Sequence, residues 1–249
     1  MKKILLFTSH KNKLVYVVLL KAGSRTMHRV MFALAGVPKT KDKPWGENIK
    51  KRSQELAEHG LVKEKYGLEE AKEYQRQHSD YTWIAITRNP YERALSAYSN
   101  KVNRAIRYSH RRIYFLSKLK TLIGHPKKWW SAERSRETIK QHISFEDFLV
   151  SLQKIGTDVD PHLSTQFTSL GSAEIRLDKI YDLDDLSNGL KELQEIVGFT
   201  GMDLSELATG PIPNQTGAGK NQRDLLTPKA KAIIQEIYAN DFKFFHYST

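Results

Sequence analysis

The sequence predicts an α/β fold, and three observations point to this class. Short apolar runs rich in β-branched and aromatic residues occur at positions 13–20 and 81–87, as is typical of buried strands. A further strand is predicted at 178–182. Each run precedes a segment whose apolar residues recur at helical spacing. With 249 residues the chain is long enough to bury a sizeable core, and we expect a single domain over residues 1–249.

The first strand leads into a loop of small and polar residues, and a helix with apolar residues from Met27 to Leu34 follows. Free N–H groups in the first turn of that helix, together with the helix dipole, favour an anion there. Lys21 adds a positive charge, so the loop is a candidate phosphate site, although an ordinary strand–turn–helix connection has the same pattern. The loop residues are Lys21, Ala22, Gly23, Ser24, Arg25 and Thr26.

The loop does not have the order of a Walker A motif, in which Gly, four residues, Gly-Lys and then Ser or Thr follow one another. Here Lys21 precedes Gly23, and the loop has no second glycine. A nucleotide kinase or other P-loop enzyme is therefore disfavoured, but it stays an alternative interpretation.

The second strand ends in a segment with clear helix-start signals. Asn89 is suited to cap a helix N-terminus, and Pro90 is suited to its first position. Arg88 thus lies at the carboxyl end of a strand, where open α/β sheets bind ligands. Arg93 and Ser96 are three residues apart, so they can share one face of the helix.

Four further helices are predicted from periodicity and end signals. Residues 61–78 form a charged helical stretch, and residues 144–147 resemble a capping box for a helix that ends near residue 154. An amphipathic helix over 186–197 ends at Gly198, and a last helix runs from about 227 to 239. In the helix that follows the capping box, we expect the buried core residues to be Phe145, Phe148, Leu149 and Leu152.

The positive charge is concentrated in one segment. The net charge is +12, and residues 101–140 contribute +10 of it. This basic segment, a helical insertion at about 101–143, also contains aromatic residues such as Tyr108 and Trp129. An anionic partner would explain the pattern, and a solvated insertion would explain it equally well.

Composition excludes some classes of site. The chain has no cysteine, so disulfides and thiolate metal sites are absent. No acidic metal-binding cluster stands out, so no metal is expected. No apolar run has transmembrane length, and the N-terminal apolar run is too short for a secretory signal. We therefore expect a cytoplasmic protein.

Three segments of the chain together resemble a known family. The Lys21 loop resembles the 5′-phosphosulfate loop of sulfotransferases that use 3′-phosphoadenosine 5′-phosphosulfate (PAPS). Residues 160–166 resemble a segment of the carbohydrate sulfotransferase family that includes the chondroitin and dermatan enzymes, with Leu163 and Thr165 in place of its Trp and Pro. The chain thus resembles a soluble, bacterial-like member. The 3′-phosphate motif of the PAPS-dependent enzymes is matched by Arg88, Pro90, Arg93, Ser96, Tyr98 and Lys101.

The resemblance implies a parallel β-sheet flanked by helices in a P-loop-like sulfotransferase fold. It implies in-line transfer of a sulfuryl group from PAPS to a hydroxyl of an anionic or neutral carbohydrate or glycolipid. Lys21 would neutralise charge on the leaving oxygen, and the loop N–H groups would hold the 5′-phosphate. Arg88 and Ser96 would bind the 3′-phosphate. A late basic loop would close over that phosphate, with Lys220 and Arg223 as the contacts. The alternative is that this loop is merely solvated.

The family also needs a general base to accept the proton of the acceptor. His162 is the first candidate, because it lies in the partly matched segment at 160–166. Glu47 is the second, because some sulfotransferases use a glutamate downstream of the 5′ loop. His28, in the first helix, is a third candidate.

A second alternative function is a basic nucleic-acid-binding protein, which the charge of the segment at 101–143 would suit. No nucleic-acid-binding motif accompanies that charge, so we expect no nucleic acid as partner. The oligomeric state does not follow from the sequence.

Overall fold

The computed structural model describes residues 3–39, 49–100, 144–209 and 222–249. The chain divides into two compact units, each built from two chain segments. We call Met1–Arg88 with Gln166–Gln215 the sheet unit, and Asn89–Thr165 with Thr216–Thr249 the helical unit. The prediction of a single domain stays a prediction. The basic segment at 101–143 lies outside the described residues.

The sheet unit contains a five-stranded sheet in the order β3-β1-β2-β4-β5. β2 pairs parallel with β4, and β4 pairs parallel with β5, whereas β1 is antiparallel to both β2 and β3. The strands are β1 Ile4–Ser9, β2 Leu14–Val17, β3 Leu61–Tyr66, β4 Thr82–Thr87 and β5 Lys179–Asp182.

The prediction of a parallel sheet is therefore correct for the pairs that β2, β4 and β5 form and wrong for β1. Only residues 10–13 separate β1 from β2. A connection this short joins antiparallel strands, because a parallel pair needs a crossover of about a dozen residues or more. β1 and β2 thus form a hairpin, and β1 runs in the opposite direction to its neighbours in the sheet.

The prediction of one charged helix over residues 61–78 is also wrong. The stretch contains β3 and then a helix that begins after Gly67. β3 is an edge strand of the sheet, and Lys63, Glu64 and Lys65 lie on it. Charged residues on an edge strand oppose pairing with other chains. They also hide the apolar alternation that would identify the strand.

Helices cover both faces of this sheet, as the α/β class requires. On one face, Phe7, Tyr16 and Ile84 form a buried core with the helices Ser24–Ala35 and Leu186–Ile196. On the other face, the Tyr74 hydroxyl of the helix Leu68–Gln77 donates to the Thr8 hydroxyl at 3.1 Å. The helices of the sheet unit are α1 Ser24–Ala35, α2 Ser53–Glu58, α3 Leu68–Gln77, α6 Gln166–Ser169, α7 Leu186–Ile196 and α8 Glu206–Thr209.

In the part of the chain that the structure describes, the helical unit has no strand. Its core joins apolar residues such as Leu95, Phe148 and Ile234. The predicted capping box is confirmed, because the Ser144 hydroxyl accepts from Asp147 N at 3.1 Å and Asp147 Oδ2 accepts from Ser144 N at 3.3 Å. The helices here are α4 Pro90–Tyr98, α5 Phe145–Ile155, α9 Pro228–Ile237 and α10 Ala239–Phe244.

The predicted core of α5 is confirmed, since Phe145, Phe148, Leu149 and Leu152 are all buried. The amphipathic helix predicted over 186–197 corresponds to α7, and Gly198 follows it with a φ of 63°. Of the helices within the described ranges, none combines the length and apolarity needed to cross a membrane.

Candidate functional site

The loop between β2 and α1 has an unusual backbone. Gly23 caps α1 with a φ of 72°, and Lys21 also has a positive φ, 71°. The positive φ favours glycine at position 23, and a Cβ there would also displace Cδ1 of Leu183, from which it would lie 2.6 Å. Left-handed backbone is costly for a lysine and persists only where the surrounding structure holds it. Two residues of this short loop therefore have left-handed backbone.

The N-terminus of α1 has the features of an anion site. No side chain caps it, and its first turn contains no acidic residue. The first intrahelical hydrogen bond runs from Met27 N to Gly23 O at 3.2 Å, so the N–H groups of residues 24–26 lie before it. These donors and the helix dipole favour negative charge. Ser24 is partly exposed and Arg25 is exposed, whereas Ala22 and the side chain of Thr26 are buried.

Arg88 lies beside this loop at the end of β4. Its Nη1 donates to the carbonyl oxygen of Lys21 over 3.5 Å. Its own backbone is held by Gln166, whose Oε1 accepts from Arg88 N and whose Nε2 donates to Arg88 O, both at 2.9 Å. The sheet unit thus brings Lys21 and Arg88 together where β2 and β4 end.

Gln166 fixes the backbone of the candidate site residue Arg88, and the sequence motifs assigned it no such role. Its side chain is fully buried and makes hydrogen bonds to both the backbone N–H and the backbone C=O of Arg88. The residue closes the segment at 160–166, and that position was the signal that could have identified it. It acts by positioning Arg88, since both of its amide atoms contact backbone.

Ser96 lies in the helical unit, on α4, and is 5% exposed. The helix start is as predicted, because Asn89 Oδ1 accepts from Tyr91 N at 2.9 Å and Pro90 is the first helical residue. Arg93, three residues before Ser96, is in the interior at 2% exposed. Its Nη2 donates to Ser164 O at 2.5 Å, and its guanidinium lies 5.7 Å from the ring centre of Tyr238. Arg93 therefore supports the structure of the helical unit.

His162 is paired with a carboxylate. Its Nδ1 lies 2.9 Å from Oδ1 of Asp160, which also accepts from His162 N at 2.8 Å. The histidine side chain is 40% exposed. A carboxylate at Nδ1 favours the proton on that nitrogen and leaves Nε2 able to accept another. The segment is fixed from the other side by Arg93 on Ser164 and by the Tyr238 hydroxyl, which donates to Leu163 O at 3.1 Å.

The remaining predicted site residues have different outcomes. Glu47 and Lys220 lie outside the described residues. Arg223 is exposed and forms an ion pair from its Nε to Oε1 of Glu92 at 3.1 Å. His28 is buried in α1, with Nε2 2.8 Å from Nζ of Lys63. Among the described residues, no group of three or more His, Asp or Glu is arranged to hold a metal ion.

Comparison with known proteins gives one match. The family model described as "Sulfotransferase family" matches residues 5–248, which is nearly the whole chain. No curated protein and no solved structure matches the chain significantly. The family match favours the sulfotransferase interpretation over the kinase and nucleic-acid-binding alternatives. From the match and from the loop, strand-end and histidine segments described above, we conclude that the chain belongs to the sulfotransferase family.

Proposed function

We propose that this protein transfers a sulfuryl group from PAPS to a hydroxyl of a carbohydrate or glycolipid acceptor. Membership of the sulfotransferase family supports sulfuryl transfer in general. The observation that carries the proposal is the uncapped N-terminus of α1 with Lys21 and Arg88 beside it, at the carboxyl ends of β2 and β4. Backbone donors and two cations form a site that suits a phosphate better than a neutral ligand.

The donor set fits the phosphosulfate end of PAPS. The N–H groups of residues 23–26 would hold the 5′-phosphate, and the absence of acidic residues from the first turn of α1 suits that role. PAPS supplies a sulfuryl group attached to a phosphate oxygen. When the acceptor oxygen bonds to sulfur, the bond between sulfur and the phosphate oxygen breaks. Negative charge then develops on that phosphate oxygen. Lys21 would neutralise this charge, as fixed donors do in other transfer reactions.

For the 3′-phosphate of PAPS we propose Arg88 and Ser96, on the resemblance of their segment to the family motif. The two hydrogen bonds from Gln166 support this role for Arg88, because they fix the backbone that carries the guanidinium. For the late basic loop we propose a contribution from Lys220 and Arg223 to the same phosphate.

We propose His162 as the general base. The support is its pairing with Asp160, which leaves Nε2 as the nitrogen able to accept the hydroxyl proton of the acceptor. Glu47 stays the alternative base. The basic segment at 101–143 is the proposed recognition surface for an anionic acceptor, and its charge of +10 is the support.

Ligand-induced stabilisation tests the donor site. We expect adenosine 3′,5′-bisphosphate to raise the melting temperature, because a ligand that binds only the folded state stabilises it. ATP with Mg²⁺ and an RNA or DNA duplex serve as comparison ligands. A larger shift with either comparison ligand than with the bisphosphate would contradict the proposed donor.

Product analysis tests the acceptor class. The protein is incubated with PAPS and panels of glycans, glycolipids and small phenols, and the products are analysed by mass spectrometry. We expect a mass increase of one sulfuryl group, about 80 Da, on a glycan or glycolipid. If only phenols are sulfated, the proposal of sulfuryl transfer stands but the proposal of a carbohydrate acceptor is wrong.

A further inference from the structure

One partly buried cation in the sheet unit takes no part in the proposed sulfuryl transfer. Lys63 on β3 has its Nζ 2.8 Å from Nε2 of His28 on α1 and 5.7 Å from the ring centre of Phe7. Lys63 and Phe7 are direct partners in the β1–β3 register, so their side chains point to the same face of the sheet. The ammonium therefore lies under α1, beside a histidine that is 8% exposed.

This cation has no negative partner in the described part of the chain. No carboxylate there forms an ion pair or hydrogen bond with Lys63, Lys65 or His28. The nearby charges are positive instead. Arg25 is three residues before His28 on α1, and Lys65 is two residues after Lys63 and on the same face of β3.

These surroundings act on both groups. Burial and the charge of Lys65 lower the pKa of Lys63 to about 8. Burial, then Lys63 and then Arg25, lower the pKa of His28 well below its usual value. At pH 7 the lysine is therefore mostly charged and the imidazole is neutral, so His28 accepts one N–H but supplies no counter-charge. A partly buried charge without a counter-charge is unfavourable for folding.

We propose that Lys63, His28, Arg25 and Lys65 form an anion-binding subsite for an oxyanion such as sulfate, centred on Lys63 and sharing Arg25 with the Lys21 loop. After its contact with His28, the ammonium has two N–H donors left for the anion. A bound oxyanion would accept them and would supply the negative charge that Lys63 does not receive from the described side chains. Lysine binds such groups as a point charge, and Arg25 and Lys65 would add to the attraction.

The oxyanion can be a free ion or a group carried by an acceptor molecule. Arg25 belongs both to the first turn of α1 and to this cluster, so the subsite lies one helical turn from the proposed donor loop. An acceptor that carries a sulfate or carboxylate could therefore use it, and this role rests on the proposed function. Binding of the free ion does not depend on that function.

The test measures binding of inorganic sulfate to the full chain by isothermal titration and by thermal unfolding, with sodium chloride of equal ionic strength as reference. Three variants are compared with their common parent, the Lys21→Ala protein: Lys63→Met, Lys63→Arg, and Lys154→Met as an exposed-lysine control. The Lys21→Ala change removes one cation from the donor loop, and any sulfate that the N–H groups of α1 still hold is common to the parent and its variants and cancels in the comparison. We expect Lys63→Met to weaken sulfate binding at least tenfold, and Lys63→Arg and Lys154→Met to retain it.

The same variants give an independent stability readout. In chloride, Lys63→Met should melt at a higher temperature than its parent, because a partly buried charge is replaced by an apolar side chain. In sulfate, this advantage should shrink or reverse, because only the parent gains from the bound ion. General salting-out by sulfate raises all variants alike and cancels in the comparison. Equal sulfate affinity in Lys63→Met and its parent would overturn the proposal, whatever their melting temperatures.

A sulfated sugar separates the two sources of the anion. Glucose 6-sulfate is titrated beside inorganic sulfate, with glucose as the neutral reference. Tighter Lys63-dependent binding of glucose 6-sulfate supports a group carried by an acceptor, and tighter Lys63-dependent binding of inorganic sulfate supports a free ion. Titration of wild type with adenosine 3′,5′-bisphosphate reports the donor site separately. Loss of nucleotide binding alone would therefore reject the proposed function and leave the subsite standing.

Discussion

Arg88 and Arg93 come from one stretch of sequence, but their two regions of the molecule use them differently. At the end of β4 in the sheet unit, Arg88 is partly exposed and its guanidinium lies against the carbonyl of the Lys21 loop. On α4 in the helical unit, Arg93 is 2% exposed and donates to Ser164 O. One motif thus contains an arginine suited to contact a ligand and an arginine that supports the structure.

The difference in exposure and contacts between the two arginines indicates which of them supports the fold and which is the candidate for ligand contact. An interior guanidinium that bonds to a main-chain carbonyl and lies against an aromatic ring is held in place by the protein itself. A partly exposed guanidinium beside an uncapped helix N-terminus is the one to which the proposed function assigns a ligand. Variants of the two arginines separate these roles directly, one through stability and the other through ligand binding. Variants of Lys21 and His162 test the chemistry of the residues that each region holds in place.

The largest expected effect is on His162, whose segment the helical unit fixes through Arg93 and Tyr238. His162→Ala should lower kcat by roughly a hundred- to ten-thousand-fold, the usual range for loss of a general base. The affinity for adenosine 3′,5′-bisphosphate should stay unchanged, because the imidazole would contact the acceptor. The measurement is kcat under saturating PAPS, with His59→Ala as a control histidine at the end of α2.

Asp160→Asn sharpens this prediction, because it keeps the size of the side chain but removes the charge that orients the imidazole. A fall in kcat smaller than that of His162→Ala would agree with a positioning role for Asp160. If His162→Ala retains full turnover and Glu47→Ala loses it, the base is Glu47.

Lys21→Ala should lower turnover by about a hundred- to a thousand-fold, by analogy with the loss of an oxyanion-hole donor. Nucleotide affinity should fall much less, because the N–H groups of α1 would still hold the phosphate. Single-turnover kinetics with PAPS measure the chemical step, and Lys154→Ala is the matched exposed-lysine control. Lys21→Gly is a second test, since glycine accepts the positive φ of 71° without strain. Near-normal turnover in Lys21→Gly would remove the ammonium from the mechanism.

The sequence was sufficient to predict elements whose signals are local. The Asn89-Pro90 helix start, the capping box at 144–147 and the existence of strands β2, β4 and β5 follow from a few adjacent residues. The parallel pairing of these strands was implied only by the family resemblance. β1 and β3 were missed for physical reasons. The direction of β1 depends on a short hairpin, and β3 is an edge strand whose charges resemble those of an exposed helix.

The sequence motifs name residues that would contact a ligand under the proposed function, but they do not name residues that act on other residues. Lys21 and Arg88 were identified from the sequence, but Gln166 holds the backbone of Arg88 from 78 positions away. Lys63 meets His28 only because β3 pairs with β1 beneath α1. Contacts of this kind depend on the sheet order, and no pattern within one segment of the sequence reports them.

Arg93→Ala should destabilise the protein by about 3 kcal/mol, because it leaves the buried Ser164 carbonyl without its charged donor and opens a cavity beside Tyr238. The measurement is urea unfolding at 25 °C. Arg76→Ala is the control, since that exposed arginine has only a surface ion pair with Glu73 and such pairs contribute about 0–1 kcal/mol. If Arg93→Ala is no less stable than Arg76→Ala, the interior arginine is not a structural support.

Arg88→Ala has the smallest expected effect on folding and tests the ligand-contact half of the comparison. It should weaken binding of adenosine 3′,5′-bisphosphate by about 1.5–3 kcal/mol, the usual contribution of a hydrogen bond to a charged group. Binding of adenosine 5′-monophosphate should change little, because that ligand lacks the 3′-phosphate. Isothermal titration with both nucleotides measures the difference. Equal losses for the two would move Arg88 from the 3′-phosphate to another part of the nucleotide, for instance the 5′-phosphate beside the Lys21 loop.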